Sequence, residues 1–293
     1  MLDVRKLRLL RELAHRRTIA AVAEALSYTP SAVSQQLTAL ERETGVPLLE
    51  RTGRRVTLTA AALTLVEHTE TILAALERAA ADLATAGAAL TGTLRIGAFP
   101  TAVRTILSPT LVALSRDHPG LELMVTELDP ATAPAALRAE TLDVALVQAY
   151  DYVPAEPDPA LDTEPLLRET IYLAALTGDP LPAHRNAPWI LSTPGTLCHT
   201  MTVRACQAAG FTPRVRHHAD DFSTVLALVA ANQGIALVPE LGARTPPPNV
   251  VLTPLPAHRT THLAYRRGTA THPAIAAART ALHTSATALS ATR

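Results

Sequence analysis

Cysteine, charge imbalance and long apolar runs are what this chain is short of, and each shortage closes off a class of protein. Cys198 and Cys206 are the only two cysteines in 293 residues. They make no disulfide framework, so a reducing, cytoplasmic setting is expected. No apolar run approaches the roughly 18 residues needed to cross a bilayer, so no membrane partner is expected. The opening segment MLDVRKLRLLRELAHRR interleaves charges through its apolar residues, which argues against a secretory leader. No Gly-rich phosphate loop, GxSxG elbow or HExxH helix is found, so no enzyme chemistry and no cofactor are expected. A hydrophobic content of 48% excludes wholesale disorder. The length accommodates two or three compact units.

Net charge is zero, yet it is unevenly spread. Residues 1–59 carry ten Lys/Arg against six Asp/Glu, and the remainder 16 against 20. The positive half holds the most informative stretch, TIAAVAEALSYTPSAVSQQLTALERE, residues 18–43. Ile19, Val22, Ala23 and Leu26 recur with helical period. Ser27 and Tyr28 interrupt it, Thr29 offers an N-cap oxygen, and Pro30 suits the first helical position. Val33, Leu37 and Leu40 then give a second helix an apolar face and leave Ser31, Ser34, Gln35, Thr38 and Arg42 outside. Two short helices presenting a polar face suit a DNA major groove, although an ordinary helix hairpin has the same pattern. A preceding helix over about residues 3–15, with Leu7, Leu10, Leu13 and Ala14, can cover the pair.

Gly45 reads as the residue that ends the second helix. The segment VPLLERTGRRVTLT reads as two short extended pieces around a Thr52–Gly53 turn, with Arg51, Arg54 and Arg55 at its tip. Such a hairpin can reach phosphates or a minor groove; the plainer reading is a solvated basic loop.

The run LRLLRELAHRRTIAAVAEALSYTPSAVSQQLTALERETGVPLLERTGRRVTLTAAA resembles the winged helix-turn-helix of LysR-type transcriptional regulators. The resemblance continues into the linker helix. It implies an all-α winged helix-turn-helix domain over residues 1–59, whose DNA contacts come from Thr29, Pro30, Ser31, Ser34, Gln35, Thr38, Arg51, Arg54 and Arg55. The recognition helix departs from many relatives, which carry Gln-Pro at the first turn and an arginine after the serine. Here Pro30–Ser31 stand at the turn and Gln35 follows Ser34. A glutamine amide favours adenine, whereas arginine favours guanine.

Residues 60–90 are alanine-rich and free of proline, predicting one helix of about 30 residues. Leu63, Val66, Leu73, Leu76, Ala80, Leu83 and Leu90 form a stripe with Glu70 as a polar gap. Gly87 weakens the last turns by about 1 kcal/mol relative to alanine. A stripe this long wants a partner helix, and by resemblance to the family this is where a homodimer or homotetramer assembles.

From about residue 91 the pattern changes to β-α-β-α-β: TLRIGAF, TAVRTILSPTLVALSRDHPG, LELMVTEL, ATAPAALRAET, LDVALVQAY. That alternation predicts a parallel sheet. The proline-rich DYVPAEPDPALDTEP reads as a crossing loop. A second α/β unit follows, from ETIYLAAL through PWILS, PRVRHH and IALVPEL to VVLTPL and THLAYRR, and a last helix covers about residues 273–289. The runs GAFPTAVRTILSPTLVALSRDHPGLEL and FSTVLALVAANQGIALVPEL resemble the effector-binding domain of the same family. This implies an α/β two-lobed fold like that of periplasmic solute-binding proteins, over residues 91–293. Lobe I is expected near 91–148 and 264–293, lobe II near 164–263.

Ligands of such clamps sit at the carboxyl ends of strands. Phe99, Pro100 and Thr101 follow one strand and open a helix; Thr193, Gly195 and Thr196 follow another and open another. Helix starts and hydroxyls favour a small anion, although the same residues serve routinely as caps. The resemblance adds Gln148, Asp221 and Phe222 to this cleft. Cys198 and Cys206 lie eight apart, roughly 12 Å along one helix, too far to bridge within it. The peroxide-sensing branch of the family nevertheless carries two nearby cysteines in this lobe. His217, His218, Asp220 and Asp221 fit no standard metal spacing, so no metal is expected. The chain is therefore expected to be a DNA-binding transcriptional regulator controlled by a small effector. Its partners are an inverted-repeat operator, that effector and further copies of itself. A thiol-based redox regulator and a cytoplasmic small-molecule-binding protein are the alternatives.

Overall fold

The computed structural model describes residues 2–52, 55–85, 90–153 and 157–291. They form two compact units, residues 1–87 with 266–272 and residues 88–265 with 273–293. Gly53, Arg54 and Gly87 lie outside the described residues.

The first unit begins with α1 (Val4–Arg16), capped by the Asp3 carboxylate on the Arg5 amide. α2 (Ile19–Ala25) and α3 (Pro30–Thr44) are capped by Thr18 and Thr29, each hydroxyl accepting the amide three residues on. Between them Ser27 adopts φ +56°, a left-handed geometry that turns the chain sharply. Leu7, Leu10, Leu13, Val22, Val33, Leu37 and Leu40 meet in one core. Gly45, at φ +70°, ends α3, where an L side chain would be strained. β1 (Leu49–Thr52) and β2 (Arg55–Leu58) then pair antiparallel. Glu41 of α3 accepts the Leu48 and Leu49 amides at 2.9 and 3.0 Å, tying the hairpin to the helix.

α4 (Ala60–Thr85) starts at Thr59, whose hydroxyl accepts the Ala62 amide. The expected stripe is divided on this helix. Leu73 is buried, whereas Leu63, Leu76 and Leu83 are exposed, Leu83 at 78%. Ala80 is exposed as well. Glu70, the polar gap, is buried where it faces two basic residues of α1: Arg11 lies 3.9 Å and His15 3.8 Å away. The buried Glu12 also ties Arg11 to Arg16.

The second unit opens with β3 (Gly92–Ala98). The next helix is not uniform: α5 (Pro100–Ala102) passes through a π turn (Val103–Leu107) into α6 (Ser108–Asp117). β4 (Leu121–Glu127), α7 (Ala133–Arg138) and β5 (Val144–Tyr150) complete the first lobe's alternation, with β3 parallel to both β4 and β5. β6 (Leu161–Ala175) and β10 (Val251–Arg266) are long strands, and the sheet runs β4-β3-β5-β10-β6-β9. β7 (Pro188–Leu191) and β8 (Arg214–His218) form a separate parallel pair. They are joined by α8 (Leu197–Ala208), and α9 (Phe222–Ala230) leads to β9 (Ala236–Pro239). α10 (Pro273–Ala291) ends the chain's regular structure.

Two expectations change here. Residues 161–165, read as loop, open β6, and the segments VVLTPL and THLAYRR are one continuous strand. β10 pairs antiparallel with β5, and β6 with β9. The passages between lobes are therefore made of strand, and both ends of each strand are packed. Leu161 and Ala264 share a core with Leu137 and Ala145, while Ile171 and Ala257 share another with Trp189 and Val229.

Candidate nucleic-acid interface and ligand cleft

On α3 the buried side is fixed by Val33, Leu37 and Leu40, which are at most 1% exposed. The other side then points away from the core: Thr29, Pro30, Ser31 and Gln35 are exposed, and Ser34 and Thr38 half-buried. The Thr29 hydroxyl is occupied as the cap. The backbones of Arg51 and Arg55 stand on β1 and β2, Arg51 opposite Val56 and Arg55 opposite Thr52. Their side chains, and all of Arg54, lie outside the described residues.

In the second unit, a cleft of about 480 Å³ opens where strands end. β3, β4 and β5 are parallel, so Phe99, Glu127 and Tyr150 arrive at one edge. β7 and β8 are parallel too, and bring Ser192 and Asp220 to the other wall. Of the nine residues nominated for the effector, Phe99, Pro100, Thr101, Gln148, Thr196, Asp221 and Phe222 line this cleft. Thr193 and Gly195 do not. The Thr193 amide and hydroxyl both donate to Asp220, at 2.8 and 2.6 Å, and Gly195 takes φ +95° in the turn before α8.

The helix starts at the cleft differ in their capping. Thr196 closes α8 by accepting the His199 amide, and Asp221 closes α9 by accepting that of Thr224. Phe99 supplies no side-chain cap to α5, so the first-turn N–H groups there keep their attraction for an anion. The Phe222 wall needs Gly242: a Cβ at that position would sit 2.7 Å from the Phe222 ring.

Sequence reasoning missed the cations. Arg104, in the π turn, reaches Asp221 at 3.3 Å. Arg259 is 1% exposed and pairs with the fully buried Glu169 at 2.5 Å. It donates to Thr101 Oγ1 at 3.2 Å and Gln148 Oε1 at 3.3 Å, and lies over the Phe99 ring. A signal for it existed. Ala257, Arg259, Thr261 and Leu263 share the buried phase of β10, and an arginine in that phase must be paired. Tyr150 lines the cleft as well, and among the described residues no group meets its buried hydroxyl at hydrogen-bonding geometry. Burial raises its pKa well above the phenolic value, so it remains a neutral donor.

Burial also raises the Cys198 thiol, which lines the cleft, and pushes Cys206 up to about 12. The Thr224 amide, and next to it Arg104, hold the Asp221 carboxyl below its ordinary value. Among the described residues no group of three or more His, Cys, Asp or Glu is placed to hold a metal. Asp220 is committed to Thr193, and His218 Nδ1 lies 3.1 Å from the Ser192 carbonyl. No helix among the described residues is long and apolar enough to cross a membrane.

Two family models match the chain: the bacterial regulatory helix-turn-helix protein, lysR family, over residues 4–63, and the LysR substrate binding domain over residues 87–287. The chain is 29% identical to the transcriptional dual regulator GltC of Bacillus subtilis over 82% of its own length and 81% of that protein. It is 30% identical to a probable hydrogen peroxide-inducible genes activator of Mycobacterium avium, over 78% of its own length and 74% of the relative. Among solved structures, a cysteine mutant of Corynebacterium glutamicum OxyR matches with TM-score 0.58 and 27% identity. That match covers 99% of this chain and 94% of the other.

Proposed function

Since the chain belongs to the LysR family of DNA-binding transcriptional regulators, we propose that it switches an operator in response to a small metabolite with an anionic group, held between the lobes of residues 91–293. The observation that carries this reading is the convergence of Phe99–Thr101, Gln148, Thr196 and Asp221–Phe222 on one cleft with Arg104 and Arg259 in its walls. In this reading residues 1–59 read DNA, with Ser31, Ser34, Gln35 and Thr38 in the major groove and Arg51, Arg54 and Arg55 on phosphate. Residues 60–90 join copies through Leu76 and Leu83, which sets two recognition helices on an inverted repeat. Ligand affects DNA binding only to the extent that its affinity differs between two arrangements of the assembly.

The peroxide-sensing alternative requires a thiolate, and burial of both cysteines opposes one. Effector binding in the cleft is the reading the geometry favours.

Gel-shift titration of the full chain on DNA upstream of its own gene, in rising salt, tests this directly. The expected result is a specific complex with a steep salt slope, whose affinity or footprint changes with one of a panel of carboxylates made up of succinate, citrate, benzoate, salicylate and the free L-amino acids. A complex indifferent to every carboxylate, with no thermal stabilisation by any of them, would overturn the anionic-effector reading and leave the DNA-binding one.

A further inference from the structure

The charges of the cleft do not match a ligand that is only an anion. Its lining holds four carboxylates, Glu127, Asp129, Asp220 and Asp221, against two guanidiniums, Arg104 and Arg259. Both guanidiniums already have an acidic partner, Asp221 for Arg104 and Glu169 for Arg259. Asp220 is spent on Thr193, and Asp129 accepts the Ala131 amide. Glu127 is different: it is exposed, lines the cleft, and has no ion-pair or hydrogen-bond partner among the described residues. A purely anionic guest would add negative charge to a site already in excess of it, a cost that complementarity avoids.

A second, independent observation lies at the other side of the same space. Tyr150 is 5% exposed, lines the cleft, and among the described residues its hydroxyl has no partner at hydrogen-bonding geometry. A buried polar group left unmatched is costly, and a ligand that accepts from it removes that cost.

We propose that the ligand is amphoteric, an amino acid whose ammonium faces Glu127 while its carboxylate accepts from Tyr150 and the groups around Thr101. The proposal rests on the reading of this cleft as the effector site and narrows its chemistry. Register supports the fit. Glu127 stands opposite Ala98 on the neighbouring strand, about 4.8 Å between strands, and Ala98 directly precedes Phe99–Pro100–Thr101. An α-amino acid carries its two charges on neighbours of one carbon, so one molecule addresses both strand ends. Asp129 lies beside Glu127 and adds to the attraction for a cation.

The test is thermal shift and calorimetry on the full chain with matched triplets. Each contains a free L-amino acid, the 2-hydroxy acid of the same side chain, and the amino-acid amide, for all side chains where the three exist. The expected result is that the free amino acid of at least one triplet raises Tm and binds at least tenfold more tightly than both analogues. Glu127→Gln should weaken that amino acid by about tenfold and should not weaken the hydroxy acid, whose negative charge it relieves of a like-charged neighbour. Tyr150→Phe should weaken both. If a hydroxy acid binds as tightly as its amino acid, the amphoteric assignment is overturned while the anionic-effector reading stands. If an amide binds as tightly, the carboxylate is dispensable and both fall. If no triplet gives a shift, the amphoteric assignment is overturned, and the carboxylate panel alone decides the reading beneath it.

Discussion

Arg104 and Asp221, 117 residues apart in sequence, meet at 3.3 Å across the ligand cleft. The arginine sits in the π turn of the helix after β3, and the aspartate is the N-cap of α9. Both side chains are more than one-third exposed, so solvent screens the pair and its net worth is below about 1 kcal/mol. Its significance lies in position: one partner stands on each wall.

Arg104→Ala should therefore leave the urea midpoint nearly unchanged yet weaken the stabilising carboxylate ligand by about tenfold, equivalent to about 1.4 kcal/mol. Asp221→Ala should cost about 0.5–2 kcal/mol through the lost cap. The Asp221 carboxyl is held low in the folded protein. Its contribution is thus complete above its unfolded value near 3.9 and disappears as pH falls through the folded value. Asp221→Asn keeps the cap and should flatten that acid limb of a stability–pH curve.

The buried pair beneath the cleft should respond quite differently. Glu169→Gln strands the Arg259 charge in a site that is 1% exposed, and should cost about 3–5 kcal/mol. Replacing both, Arg259→Met with Glu169→Leu, should cost much less in stability and still abolish ligand stabilisation. Chemical denaturation of the two variants distinguishes the cases. Equal losses would mean the pair contributes through packing alone.

Reading of DNA separates two residues by kind of contact. Gln35→Ala should lower discrimination at one base pair per half-site by about 1–3 kcal/mol, measured over a base-substitution series. Arg54→Ala should weaken binding to all sequences alike and reduce the salt slope by about one.

The cysteines give a fourth expectation. With burial pushing the Cys206 thiol up to about 12, its thiolate is scarce at pH 7. Both cysteines also lie on one intact helix. Brief exposure to micromolar peroxide should leave the intact mass and the gel shift unaltered. Loss of two hydrogens with a changed footprint would return the redox reading.

The exposed leucines of α4 give the last. Leu76→Glu with Leu83→Glu should reduce the assembly to monomer by light scattering, with little change in the melting of the monomer itself, because neither side chain is buried in the single chain.

Local sequence made much of this legible. Thr29 and Gly45 mark helix ends that the structure places within a residue, because capping is decided by a few neighbouring atoms. Strand continuity was harder. Pro165, Pro254 and Pro256 punctuate β6 and β10 on paper, yet both strands run through them; proline is admitted wherever its missing N–H has no ladder partner. In the cleft, seven of the nine nominated residues come together, since strand ends followed by helix starts are visible in one dimension. Arg259 was not visible, because its justification is Glu169, ninety positions away and on another strand. Thr193 was claimed by Asp220, a contact that no local pattern announces.

The two long strands carry a mechanical consequence. β6 and β10 are hydrogen-bonded neighbours, and each contributes to the packing of both lobes. A pair of loops would let the lobes swing freely; a two-stranded ribbon bends and twists but does not slip, since a slip of one residue would turn Arg259 and Thr261 out of their layer. The effector domain is thus sprung rather than hinged. On the proposed effector reading, a ligand in the cleft works against the stiffness of this ribbon and not on a free joint.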